Sequence, residues 1–248
     1  MENLHTGAWK NSICVLGDYG DNNLHMNDAD KVFNQIETST RDKFIQRRMY
    51  WDAYPYTVTS TSKTFPQVSA KLRDAMKQGA LLFNYSGHGS PEQLSKAVIL
   101  KENDFSSISS GNKYALWVLA SCEITPFDSQ KNDIGRSAFY NPTGGAVGVV
   151  CASRSVYASY NNSLNVAYSK YLFGKDEKGM PYSIGDALRM AKMEMVSASK
   201  DVSINKLKYV LIGDPAVRLT APTGNVVLER INGTELSAAT RLQLKAGS

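Results

Sequence analysis

His88 stands between two glycines in residues 81–90 (LLFNYSGHGS), and Cys122 follows a serine in residues 115–123 (ALWVLASCE). Each stretch begins as an apolar run of strand length and ends in small or polar residues. An imidazole beside a thiol makes an activated nucleophile: a ring nitrogen takes the thiol proton, and the thiolate attacks an electrophilic carbon. The two side chains meet if both runs are neighbouring parallel strands pointing the same way. His88 and Cys122 then emerge together at the carboxyl edge of a sheet, where open α/β sheets keep their sites. Their separation of 34 residues suits one crossover containing a short helix. Gly89 lets the chain bend sharply and lets a substrate carbonyl approach a bare N–H. Taken singly, a strand-end Cys is a small buried hydrophobe and a His-Gly is a turn. What raises the pair above that is the shared place.

The surrounding elements must put them there. Residues 12–17 (SICVLG) read as a first strand closed by Gly17-Asp18, and a polar loop then runs into a helix with Ala29, Val32, Phe33 and Ile36 on helical spacing. Phe44, Ile45 and Met49 extend that helical reading. Residues 55–60 alternate Tyr56 and Val58 with polar neighbours, as a strand does. Pro66 suits a first helical position, Val68, Leu72, Ala75 and Met76 form one apolar face, and Gly79 closes the helix. A short helix is expected over 103–108 and another over 133–140, ended by Asn141-Pro142. Residues 145–152 form an apolar strand covered on both faces. Helices follow over 164–173 and 184–198, then a core strand over 209–212, with 217–219 as a further strand candidate. This β-α-β order predicts an α/β fold with a mostly parallel central sheet and helices on both faces.

At 42% hydrophobic and 21% charged, the 248 residues can bury a core without disulfides. The net charge of +5 is mild, and Arg47-Arg48 is its densest pair, so nucleic acid finds no support as a partner. Cys14 and Cys151 lie in apolar runs and read as buried. No Cys/His spacing suggests zinc, and no GxGxxG fingerprint occurs. No metal and no cofactor is therefore expected. Asp18, Asp21, Asp28 and Asp30 lack EF-hand spacing, which leaves calcium a minor alternative. Asn84, Asn161 and Asn232 each head an Asn-X-Ser/Thr pattern, but Asn84 falls in a core strand.

NYSGHGS followed by an apolar strand ending in Ser-Cys resembles the gingipain-type cysteine peptidases, which belong with caspases and legumain in the caspase-like group. GDYGDNNLHM (17–26), GGAVG (144–148) and LIGDPAVRL (211–219) are similar to the sortase-like branch of that family in type IX (Por) secretion. The likeness covers most of the chain up to Leu219. It implies a caspase-like (flavodoxin-like) three-layer sandwich and a cysteine endopeptidase with Cys122 as nucleophile and His88 as base. The Gly89 and Cys122 N–H groups become the oxyanion donors. It also implies a group from the end of the first strand that orients the imidazole, and that region offers Asp18 and Asp21. Substrate-binding candidates are His25, Glu123, Ser153, Arg154 and Tyr157, the last three following the strand that borders the first specificity pocket. Arg154 would meet either an acidic substrate group or Glu123. His25 is a rival base, without the glycines.

The implied partners are a polypeptide substrate, other type IX secretion components and a lipopolysaccharide acceptor, at the outer membrane or cell surface. The opening residues, MENLHTGAWKNS, hold no apolar signal core, so the sequence is expected to be a piece of a longer secreted protein. Residues 1–221 are expected to form the peptidase domain. Residues 222–248, with a hairpin around Asn232-Gly233, would be a linker or the opening strands of an immunoglobulin-like module. The competing expectation is a caspase-like module that binds without catalysing.

Overall fold

The computed structural model describes residues 7–41, 43–58, 63–219, 229–231 and 234–235. Its centre is a six-stranded sheet built from β1 (Ser12–Gly17), β2 (Ile45–Tyr50), β3 (Leu82–Ser86), β4 (Ala115–Ala120), β5 (Ala146–Ala152) and β6 (Tyr209–Gly213), in the order β6-β5-β4-β3-β1-β2. All neighbours pair parallel except β5 and β6, which are antiparallel. The helices are α1 (Leu24–Thr40), α2 (Pro66–Gln78), α3 (Glu102–Ser107), α4 (Ile134–Tyr140), α5 (Ala158–Leu172) and α6 (Ile184–Ser197).

Side chains alternate across the pleat, and the buried residues fall into two cores accordingly. Cys14, Leu16, Phe83, Tyr85, Trp117, Leu119 and Cys151 face the core beneath α2, α3 and α4. Ile13, Val15, Leu82, Leu116, Val118 and Val150 face the core beneath α1, α5 and α6. This is the expected three-layer α/β sandwich, with helices on both faces of the sheet. Burial on both sides explains why these strands read as near-continuous apolar runs.

Three expectations differ from the structure. The helical reading over 44–49 gives way to the edge strand β2. α1 stops at Arg41, whose left-handed φ of 49° ends the helix. β2 buries only Met49 fully and leaves Ile45 exposed, so it lacks a clean strand alternation. Of the strand expected over 55–60, residues 55–56 lie outside any strand and Thr57–Val58 pair with Lys63–Thr64, while residues 59–60 lie outside the described residues. Residues 217–219 join no strand. The Val217 and Pro215 carbonyls instead accept from the Ile184 and Gly185 N–H groups at 2.8 and 3.0 Å, which satisfies donors that the first turn of α6 would leave open.

α5 begins at Ala158, earlier than its apolar spacing suggests, because its core-facing side includes buried Asn161, Asn165 and Ser169. Asn165 and Asn84 exchange two amide hydrogen bonds, of 2.7 and 2.8 Å, across the α5 face of the sheet. Asn84 is wholly buried, so its sequon is inaccessible in the folded chain. The expected hairpin is represented by Arg230–Ile231 paired with Thr234–Glu235; residues 226–228, 232–233 and 236 lie outside the described residues. Among the described residues no helix is long and apolar enough to cross a membrane.

The amide pair yields a test. Asn84→Ala leaves the Asn165 amide buried without its partner, at a cost of about 1–3 kcal/mol. Urea unfolding should show a lower midpoint with an unchanged slope. An unaltered midpoint would mean that the pair adds nothing.

Candidate active site

The register delivers the two chemical residues. Gly17 pairs with Ser86 and Ser86 with Ala120, so β1, β3 and β4 end level with one another. His88 lies two residues past Ser86, and Cys122 lies two residues past Ala120. They therefore leave the same edge on adjacent strands, which lie about 4.7–4.9 Å apart. Both line one cleft, with His25, Asp28, Ser86 and Val156 among its other walls. Cys122 is partly exposed, and its Sγ lies 3.4 Å from the Val156 carbonyl.

Asp18, just past β1, anchors the histidine loop from below. It is 1% exposed. Its Oδ1 accepts from the Tyr19 N–H at 2.9 Å and the Ser95 hydroxyl at 2.6 Å; its Oδ2 accepts from the Tyr85 hydroxyl and the His88 N–H, each at 3.0 Å. Tyr85 also approaches the His88 carbonyl at 2.7 Å. Burial, with Asp18 beside it, pushes the Tyr85 phenol far above its ordinary value, so it remains a donor. Asp18 thus touches the backbone of His88 and not its ring.

Asp21 is the group that reaches the ring, with Oδ2 2.5 Å from Nε2 of His88. This contact leaves Nδ1 as the nitrogen that can take the thiol proton. Three consecutive residues in left-handed backbone, Asp21, Asn22 and Asn23, with φ of 47°, 54° and 63°, turn the carboxylate toward the ring. Such conformations are costly for most side chains and least so for Asn and Asp. His88 holds Asp21 below the ordinary carboxylate range, chiefly through this hydrogen bond.

The expected oxyanion donors are the Gly89 and Cys122 N–H groups. One bridge pairs Gly89 with Leu94, and its hydrogen bonds run from Ser90 N to Gln93 O at 2.9 Å and from Ser95 N to His88 O at 2.8 Å. The Gly89 N–H is not used by that bridge. Ser121 and Glu123 donate to Leu119 and Arg154, whereas the Cys122 N–H between them has no acceptor among the described residues. A Cβ at Gly89 would lie 2.6 Å from the Ser121 Oγ and 2.7 Å from Ile124, so glycine is required for this close approach.

The remaining candidates disperse. His25 is in the cleft, 7% exposed, with its ring 4.9 Å from that of His88 in an edge-to-face arrangement. Burial and the neighbouring His88 lower its pKa, so it is neutral at neutral pH. Glu123, with a left-handed φ of 47°, accepts from the Ser155 hydroxyl at 3.1 Å. Arg154 pairs with Asp128 at 2.5 Å, not with Glu123. Ser153 is buried and donates to the Lys208 carbonyl. The Tyr157 side chain is exposed and stacks edge-on against Tyr160, away from the cleft walls. Val156, Ala158 and Asn161 line the cleft instead; a strand-to-helix turn at 153–158 was legible in sequence, but not which of its residues point inward. The four aspartates do not converge as a calcium site would need: Asp28 pairs with Lys31, and Asp30 with Tyr50 and Arg48.

A mostly parallel sheet between two helical layers, with a Cys and a His at its carboxyl edge, defines the caspase-like class. The family model of peptidase family C25 matches residues 1–220. The chain belongs to that family. Among solved structures, it is similar to the Arg-specific cysteine proteinase gingipain R (RgpB), at 13% identity and a TM-score of 0.69, over 86% of this chain and 48% of that one. It is also similar to the complex of Porphyromonas gingivalis RgpB pro- and mature domains, at 14% identity and a TM-score of 0.67, over 87% and 50%. At these identities the likeness shows the gingipain fold, and the chain spans about half the length of those structures. No curated protein sequence matches it.

The ring contact gives a prediction about pH. A depressed carboxyl keeps its contact above the ordinary aspartate range and loses it only as pH falls through its lowered folded value. The Asp21 carboxyl, followed by NMR against pH, should titrate below the ordinary value of about 3.9 and return toward it in His88→Ala. An unshifted titration in the parent chain would contradict the contact.

Proposed function

We propose that this chain is the catalytic domain of a cysteine endopeptidase of the gingipain type, working through a Cys122–His88 dyad. The observation that supports it most is the register: His88 and Cys122 leave adjacent parallel strands at the same level and line one cleft, with Asp21 on the far nitrogen of the imidazole. In this reading Nδ1 of His88 takes the Cys122 proton, and the sulfur attacks the scissile carbonyl carbon. The oxygen gains negative charge against the Gly89 and Cys122 N–H groups. The His88 proton then passes to the leaving amine as the C–N bond breaks, giving a thioester. Water, or another amine, attacks the thioester and frees Cys122. Loss of one oxyanion donor typically costs about 2.7–4 kcal/mol of transition-state stabilisation.

Within that class, we propose a sorting-signal peptidase or transpeptidase of a type IX secretion system, like PorU. It would act on secreted cargo at the outer membrane or cell surface, alongside other secretion components, with an amine on lipopolysaccharide as acceptor. The sequence motifs at 17–26 and 211–219 support this branch. So does the charge near the cleft. Residues 151–162 contain no acid, and the one buried acid in the cleft wall, Asp28, is already paired with Lys31 at 3.1 Å. A cationic substrate side chain gains little from such a wall.

Two experiments test these levels separately. A peptidyl acyloxymethyl ketone should add its mass at Cys122 and nowhere in Cys122→Ala, with peptide cleavage abolished in that variant. Absence of labelling in the parent chain would favour a binding module. A fluorogenic library varied at the residue before the scissile bond, run with an amine acceptor present, should show poor cleavage after Arg or Lys and products bearing the amine. Strong Arg or Lys preference with hydrolysis alone would make Asp28 the specificity acid and displace the sorting-signal reading.

A further inference from the structure

We propose that Asp21, His25 and His88 form an inhibitory binding site for a divalent transition metal, with Zn2+ the ion of best fit. A carboxylate oxygen of Asp21 and one ring nitrogen from each histidine lie within 4.8 Å of one another. Nε2 of His88 is 2.5 Å, and Nε2 of His25 is 3.3 Å, from the same Asp21 oxygen. Zinc bonds of about 2.0–2.2 Å in a tetrahedron set ligand atoms roughly 3.3–3.5 Å apart. Reaching that geometry takes a small separation of His88 from Asp21 and a closing of the two imidazoles.

A second observation points to a ligand independently. His25 is more than nine-tenths buried, and its Nε2 has no hydrogen-bond partner despite the nearby carboxylate. An imidazole nitrogen without a hydrogen-bond partner in a cleft wall can serve as a ligand atom in the tautomer that carries the ring proton on the other nitrogen. Two imidazoles and one carboxylate suit zinc and its transition-metal neighbours, whereas calcium and magnesium need all-oxygen sets. Asp21 lies in the left-handed turn just before α1 and His25 is the second residue of that helix, and the turn brings the two side chains to 3.3 Å.

Inhibition, unlike binding, rests on the peptidase reading. Zinc would take the Nε2 lone pair of His88 and replace its hydrogen bond to Asp21. The ring proton then resides on Nδ1, and no nitrogen remains to accept the proton of Cys122. Removing zinc returns Nε2 to Asp21 and frees Nδ1.

The test is zinc binding by calorimetry on the full chain carrying Cys122→Ala, so that neither the thiol nor activity enters the readout. One Zn2+ should bind per chain, and excess Ca2+ or Mg2+ should not displace it. His25→Ala and Asp21→Asn, each on that background, should weaken binding at least about tenfold, the least that loss of even an outer partner brings. Asp21 is exposed and Asn is nearly isosteric, so that variant keeps the test decisive if His25→Ala does not fold. No binding by the parent, or affinity unchanged in Asp21→Asn, would overturn the proposal. Either result would leave the labelling of Cys122 untouched.

Discussion

One buried carboxyl group, that of Asp18, holds together the sheet edge that carries His88 and Cys122. It sits at the end of β1, and its own N–H bonds the Ser86 carbonyl at 3.0 Å. Its oxygens gather donors from Tyr19, Tyr85, His88 and Ser95. These come from the strand end, the adjacent strand, the histidine loop and the turn that follows. A buried acceptor left without donors costs far more than each bond returns, so the loop has one low-energy arrangement. Gly87 fits it for the same reason: a Cβ there would lie 2.5 Å from Asp18 and 2.3 Å from the Tyr85 hydroxyl.

From that anchor the division of labour between the two aspartates follows. Asp18 fixes where the His88 backbone sits. Asp21 fixes how the ring is turned. A single residue could not do both, because the backbone N–H points into the sheet edge and Nε2 points toward the α1 loop. The left-handed run Asp21–Asn23 is the local strain accepted to bring the second carboxylate round. Its residue types are those that tolerate such backbone best. Functional sites commonly hold residues in sparsely populated backbone of this kind, and Glu123, next to Cys122, is another instance.

The fold was legible where burial is two-sided. β3, β4 and β5 announce themselves as apolar runs because helices cover both faces, and that alone placed His88 and Cys122 at one edge. It was not legible at β2, a half-exposed edge strand whose Arg47, Arg48 and Met49 carry no strand period. Nor was it legible at the start of α5, where buried Asn161 and Asn165 make amide bonds, with Asn205 and Asn84, rather than apolar contacts. The site shows the same limit. The residue types at 18 and 21 nominated both aspartates, but which one meets the ring depends on backbone angles that no spacing rule reports. Arg154 was readable as a charge near the cleft. Its partner, Asp128, lies on a loop 26 positions away and could be found only in three dimensions.

The claim on which the account turns is that His88 serves as the proton acceptor for Cys122 in the folded chain. Its most direct measurement is the rate of Cys122 alkylation by iodoacetamide at neutral pH, read by mass spectrometry in the parent chain and in His88→Ala. The thiolate is the reacting species, so the parent should react faster, and the variant should slow markedly while Cys14 and Cys151 stay unmodified in both. Equal rates at Cys122 would show that the imidazole takes no proton from it, and the dyad would have to be abandoned.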